Sequence, residues 1–226
     1  MSNIMLAYLK ELTANNNREW YHENVAYRKE AEQAFEKLVA TLIEKIRRFD
    51  PELPDLEVKK LTFKMVRDTR FSKDKSPYNP AFRAHISYHG KDPIPVGYYI
   101  AIRPYDASFI GGGLFADMFK EATTMVRNYL YEHPQEWKNI IEKPDFKQHF
   151  EVGGTSLKNM PKEYIDSEIE HIKNKSWYIK ETLPDGMLEE AEDTWVSYIV
   201  SEFEKMKPFN DYLNAALEKF EMPKRP

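Results

Sequence analysis

Between Ala31 and Arg103 the spacing of the apolar residues changes from the period of a helix to that of a strand, which confines the chain to folds that contain both. Ala31, Phe35, Leu38, Val39, Leu42, Ile43, Ile46 and Phe49 recur at intervals of three, four and one, as one face of an amphipathic helix requires. Asp50-Pro51 and Pro54 end that stripe. The Asn15-Asn16-Asn17 run upstream can cap a helix start, and a short helix is expected from about Ile4 to Leu12. After Pro54 the period becomes two. Leu61, Phe63 and Met65 fall on one side of an extended segment, Thr62 and Lys64 on the other. Phe82, Ala84, Ile86 and Tyr88 alternate with Arg83, His85 and Ser87. Beyond a turn-like stretch, a strand over Val96 to Arg103 sets Tyr98, Ile100 and Ile102 opposite to Tyr99, Ala101 and Arg103. The short turn favours an antiparallel pair, with Ser108-Phe109-Ile110 as its neighbour.

From Gly113 onward helical spacing returns. A helix is predicted over about Phe115 to Glu132, with shorter ones at Gln135 to Ile141 and Asp145 to Phe150, punctuated by Pro134 and Pro144. Phe150 to Leu157 and Ser176 to Thr182 read as strands. A long helix through Leu188, Trp195, Ile199, Phe203 and Met206 is expected to end at Pro208, with a last helix beyond it through Phe209, Tyr212, Leu213 and Phe220. No repeat or low-complexity linker divides the chain, so residues 1–226 read as one α+β domain, a largely antiparallel sheet packed with amphipathic helices. A disordered tail is expected over residues 221–226. At 226 residues such a domain buries roughly 70% of its unfolded surface without staples. Trp137, Trp177 and Trp195 are assigned to its core. The absence of cysteine excludes disulfides, thiolate metal sites and cysteine nucleophiles. Lys10 and Glu11 interrupt the apolar run of Met1 to Leu9, so neither a signal segment nor a membrane partner is expected, and the reading is a cytoplasmic protein.

Charge is distributed unevenly. Between Lys59 and Arg83 stand eight cations (Lys59, Lys60, Lys64, Arg67, Arg70, Lys73, Lys75, Arg83) against two carboxylates, Asp68 and Asp74. That surplus of six lies in a chain of net charge −4, whose remainder therefore carries −10. The segment Arg67 to Tyr78 joins two strands and is too polar for a core, a usual place for binding groups. By parity Arg67 turns inward with Met65, where a guanidinium requires an anion, either a ligand or a neighbouring carboxylate. Gly111-Gly112-Gly113, ahead of the expected helix, could present backbone N–H groups to an anion, although a tight strand-to-helix turn explains the same run. His85 and His89 are four apart, about 13 Å on a strand, too far to share one ion; no metal is proposed. Glu189, Glu190, Glu192 and Asp193 read as a solvated helix start. Tyr78, Tyr98 and Tyr99 adjoin the basic segment and offer rings for stacking.

The twelve residues from Arg67 to Tyr78 resemble, almost position for position, the signature of the family known as domain of unknown function 2461. Further agreement lies in Leu9 to Trp20, in Gly97-Tyr98-Tyr99 through Pro104, in Gly111-Gly112-Gly113, and in Leu157 to Tyr164 followed by Lys173 to Trp177. The resemblance covers nearly the full chain and implies a shared fold, but no activity or cofactor. Family members often carry an Asp-His-Pro step after the residues matching Lys162-Glu163-Tyr164. This chain continues Ile165-Asp166-Ser167-Glu168 instead, and His171 is not assumed to substitute.

Four functions remain open. The first is binding of a phosphate-bearing or other small anionic ligand by Arg67, Arg70, Lys73, Lys75, Tyr78, Arg83 and Arg103. The second is nucleic-acid binding by the same surface, with Phe71, Tyr78 or Tyr99 stacking on bases, against which the acidic remainder stands. The third is an enzyme in which Asp68, Asp74 or His85 acts as acid or base, although His85 also reads as a solvent-facing strand histidine. In the fourth the basic motif only builds the fold. Cofactor and oligomeric state are not specified by these residues.

Overall fold

A computed structural model describes residues 3–223. The chain opens with three helices: α1 (Ile4–Ala14), α2 (Arg18–Glu23) and α3 (Val25–Ile46). Asparagines start the first two, because a side-chain oxygen can accept the N–H groups that a helix start leaves unpaired. Asn3 Oδ1 accepts from Met5 N at 3.0 Å and Leu6 N at 3.3 Å, and Asn17 Oδ1 from Trp20 N at 2.9 Å. In α3 the predicted stripe from Ala31 to Ile46 is buried without exception. It packs on α1 and, through Phe35, on the Phe82 ring at 5.4 Å.

One helical turn, α4 (Val58–Leu61), follows, and then the sheet: β1 (Phe82–Ile86), β2 (Tyr98–Ile102) and β3 (Ser108–Leu114). After α5 (Lys120–Glu132), α6 (Pro134–Ile141) and α7 (Pro144–His149) comes β4 (Trp177–Leu183), and α8 (Asp185–Leu188) and α9 (Glu192–Ala216) close the chain. The strands lie in the order β1-β2-β3-β4, antiparallel throughout. The fold is therefore α+β, with one buried cluster reaching from Met5 to Leu217 and containing Trp137, Trp177 and Trp195. Among the described residues no helix is long and apolar enough to cross a membrane. The expected tail falls partly on residues 224–226, outside the described residues.

Five local expectations are corrected. Residues 61–65 do not form a strand: Leu61 ends α4, and the chain touches β1 through one bridge, Thr62 with Ala84, and one bond from Phe63 N to Arg83 O at 3.0 Å. The alternation is present, since Leu61 and Met65 are buried and Lys64 exposed. The ladder stops because the backbone turns into a hairpin of its own, in which Arg67 N donates to Pro77 O at 2.9 Å and Asn79 N to Met65 O at 2.8 Å. The segment 150–157 likewise makes only isolated bridges, Gly153 to Tyr178 and Ser156 to Asn174.

Gly111-Gly112-Gly113 stands inside β3 rather than at a helix start, so its N–H groups face neighbouring strands and no anion nest forms. Glycine is required there by close approach. A Cβ on Gly112 would lie 2.7 Å from Asn210 Oδ1, and Gly113, at φ +95°, has Phe209 of α9 against it. The helix after β3 begins at Lys120, five residues later than the spacing suggested. Lastly, α9 runs through Pro208. Proline removes one helical bond at a typical loss of about 3 kcal/mol, but Pro208 and Glu204 both face solvent. Phe203, Met206, Phe209, Tyr212 and Leu213 continue the buried stripe across it, each contributing about 1.5–3 kcal/mol of burial.

Candidate functional site

The basic hairpin supplies its own anions. Arg67 pairs with Asp74, and its guanidinium also donates to Ser76 O and Ser72 Oγ, both at 3.3 Å. Asp74 Oδ1 in turn accepts from Ser76 N at 2.9 Å. The Ser76 N–H first, and then Arg67, hold the Asp74 carboxyl far below the usual carboxylate range. Arg70 straddles Asp68, with Nε to Oδ1 at 2.9 Å and Nη2 to Oδ2 at 2.6 Å, and lowers the Asp68 carboxyl as well. Lys75 Nζ donates to Thr69 O at 3.0 Å, and Lys73 is exposed. The inward-turned Arg67 thus has its partner seven residues away. Tyr78 is buried, stacked on Tyr21 at 3.7 Å, with its backbone bonded both ways to Asn16. It anchors the hairpin and offers no free ring. Phe71, at the tip, is 95% exposed.

The three acid–base candidates are similarly accounted for. Asp68 and Asp74 are held ionised by their partners. His85, expected on a solvent-facing position, is buried against the backbone of Lys91 and Asp92, and burial pushes its imidazole down to about 4. It is therefore neutral at physiological pH. His171 accepts from Trp137 Nε1 on Nδ1 at 3.2 Å while its carbonyl accepts from Trp177 Nε1 at 2.8 Å, an arrangement that places two core indoles.

What the hairpin lacks is found on the sheet beside it. Strand parity sends Phe82, Ala84, Ile86, Tyr98, Ile100, Ile102, Ile110 and Ile179 toward the helices, where all are buried. The same parity assigns to the opposite face Arg83 and His85 from β1, Tyr99 and Ala101 with the adjoining Arg103 from β2, Phe109 and Gly111 from β3, and Tyr178, Lys180 and Thr182 from β4. Among the described residues, these strand positions carry cations and rings but no carboxylate, and the Asp92 carboxylate acts on His85 from the connection between β1 and β2. Ala101, fully buried, pairs with Arg83 on one side and Phe109 on the other, so the larger side chains close over a small floor.

Two of those cations are incompletely satisfied. Arg83 Nε and Arg103 Nε are both buried without a hydrogen-bond partner. Arg83 gives Nη2 to Lys64 O at 3.0 Å, reaches the Tyr99 hydroxyl, and lies over the Phe63 ring at 5.4 Å. Elsewhere the fold does satisfy such a group: Arg127 directs Nε and Nη2 at the carbonyls of Ile172, Lys173 and Asn174, between 2.9 and 3.4 Å. The Tyr99 hydroxyl lies in the field of both Arg83 and Arg103. Burial raises its pKa, and the two guanidiniums oppose that rise.

Rings extend from this point across the sheet. Tyr99 lies 5.6 Å from Phe109 and 5.6 Å from Phe115, and Phe115 stacks on Tyr178 at 4.6 Å with an interplanar angle of 9°. Phe115 reaches back over β3 because Gly111 has no side chain; a Cβ there would stand 3.0 Å from the Phe115 ring. Hollows open at both edges of the sheet. One of about 250 Å3 is lined by Arg83, Lys59, Lys64 and Lys91 along with Glu32 and Glu36. The other, of about 610 Å3, is lined by Tyr178, Lys180, Lys147 and His149. In the latter, His149 belongs to a closed ring: Nδ1 lies 3.0 Å from the buried Glu202, which also accepts from Lys205 at 2.7 Å, and Lys205 Nζ lies 3.2 Å from Nε2.

Of the residues singled out from sequence, the structure brings Arg83, Arg103 and Tyr99 together, while Arg67, Arg70, Asp68 and Asp74 pair among themselves. Phe109, Phe115, Tyr178 and Lys180 were missed. Carrying the parity of Tyr99 and Arg103 across to the Ser108 and Ser176 strands would have found all but Phe115.

The family model for the conserved hypothetical proteins termed DUF2461 matches residues 4–212. No curated protein and no solved structure matches the chain.

Proposed function

The chain belongs to the DUF2461 family, and we propose that it binds a small anionic ligand on the open face of the sheet through Arg83 and Arg103. The observation that carries this reading is the pair of buried Nε groups without acceptors. A buried donor left unpaired is unfavourable by about 1–3 kcal/mol, and a phosphate or carboxylate oxygen is the acceptor that a guanidinium fork matches. Cross-strand register supports the geometry. Arg83 pairs with Ala101, and Arg103 lies two residues beyond Ala101, just past the end of β2, so the two are diagonal neighbours about 7–8 Å apart, a span that one anion bridges. The Tyr99 hydroxyl contributes a third donor. The hairpin is placed in a supporting role, with Arg67 and Asp74 fixing its shape at the end of the sheet where β1 begins. A cytoplasmic location is part of the same proposal.

The test is a thermal-shift panel of sugar phosphates, dicarboxylates, nucleotides and inorganic phosphate against the wild type, R83M, R103M and R70A. The reading expects at least one anion to stabilise wild type and R70A alike but neither sheet variant. An absence of any shift in wild type, or a shift that survives in both R83M and R103M, overturns it.

A further inference from the structure

We propose that the anion bound by Arg83 and Arg103 is attached to a flat ring, and that the ligand is a nucleotide unit whose base stacks on the band formed by Tyr99, Phe115 and Tyr178. This deepens the proposed function and rests on it. The anion reading uses only one corner of the open face and leaves the rest of its surface unexplained.

On the covered face the rings are enclosed, Tyr98 and Trp177 at 2% and 0% exposure. Phe115 is 39% exposed, and Tyr99 and Tyr178 are only partly buried. Phe115 nevertheless lies flat on Tyr178 within 9°. Its position depends on the missing side chain of Gly111. The band is thus an ordered aromatic surface that still meets solvent, the surface on which a base gains about 1–3 kcal/mol by stacking.

Its surroundings suit a ligand that is negative at one end. Arg83, Arg103 and Lys180 share the face with the rings, and the strands place no carboxylate there. Tyr99 belongs to β2, Arg103 directly follows that strand, and Phe115 lies over β3. Anion and ring would therefore be one to two strand spacings apart, about 5–10 Å, a separation that a sugar spans between its phosphate and its base. A sugar phosphate or dicarboxylate would engage the arginines and leave the band idle. The −10 carried outside the basic segment opposes a long polyanion and favours a free nucleotide or a few unpaired nucleotides.

The test is isothermal titration of wild type, Phe115→Leu and Phe115→Ala with adenosine monophosphate, ribose phosphate, adenosine and a short oligoadenylate. Leucine keeps the bulk and removes the ring, which separates loss of stacking from loss of fold. Adenosine monophosphate is expected to bind at least about 5-fold more tightly than ribose phosphate, and both Phe115 variants to remove that advantage while leaving ribose phosphate unchanged. Equal affinities for the two in wild type, untouched by either variant, overturn the ring proposal and leave the anion reading standing. Failure of both to bind overturns the anion reading as well. If the oligonucleotide binds more tightly than the mononucleotide, with salt dependence that steepens with length, the natural source of the unit is a single strand; a flat dependence assigns a free nucleotide.

Discussion

The two faces of the sheet treat charge in opposite ways. Toward the helices, the buried Asp50 carboxylate accepts from Tyr88 at 2.7 Å and Tyr98 at 3.0 Å and has Lys207 at 3.7 Å, so its charge is answered from three directions. The carboxylate raises both tyrosines in turn, after burial for each. On the opposite face Arg83 and Arg103 present donors without acceptors. A polar group enclosed during folding must find its partner within the chain. One that borders an open surface can wait for a partner from outside, and the proposal for the open face rests on that difference.

The largest expected effect lies on the covered face. Asp50→Ala strands two phenols, while Lys207 keeps Asp211 at 2.8 Å, and should lower stability by about 4 kcal/mol in urea denaturation. A loss under about 1 kcal/mol would mean that the covered face is not organised around this carboxylate. Next comes His85. Above an unfolded value near 6.5 both states are neutral and the residue has no effect. As pH falls from there to about 4, the unfolded chain takes up a proton that the folded one refuses, so stability drops with pH, by about 3 kcal/mol in total. The His85 contribution should be missing from the pH profile of His85→Asn, and parallel wild-type and variant profiles would contradict a buried neutral imidazole.

Gly112→Ala drives a Cβ to 2.7 Å from Asn210 Oδ1, an overpacking worth about 2 kcal/mol. Chemical denaturation with an unchanged m-value would confirm it; full stability would show that α9 can retreat from the sheet. The smallest effect is expected where the covered and open faces differ most. Arg103→Met should change stability by less than about 1 kcal/mol, since this guanidinium has no internal acceptor to abandon, while eliminating anion binding. A large destabilisation instead would assign Arg103 to the fold.

Much of the architecture was legible because it is written in local periodicity. The stripe of α3 named its buried face, and the alternation in β1 and β2 named the sides that meet the helices and separated Tyr98 from Tyr99, although His85 and Ala101 on the other side are buried as well. The misreadings share a cause, which is that the deciding contact lies far along the chain. Gly112 is a glycine because of Asn210, and α9 passes Pro208 because its buried stripe continues. Charge counting located the basic segment but could not see that Arg67 and Asp74 meet across a hairpin. Nor could it see that Arg103, outside the cluster, stands beside Arg83 on the sheet.

The most direct measurement follows the Nε–Hε signals of the arginines by NMR as inorganic phosphate is added. The account predicts that the Arg83 and Arg103 signals shift together and saturate, while those of Arg67, already paired with Asp74, and Arg127, already bonded to carbonyls, stay in place. Movement confined to Arg70 or Arg67, with Arg83 and Arg103 unmoved, would contradict it and return the site to the hairpin.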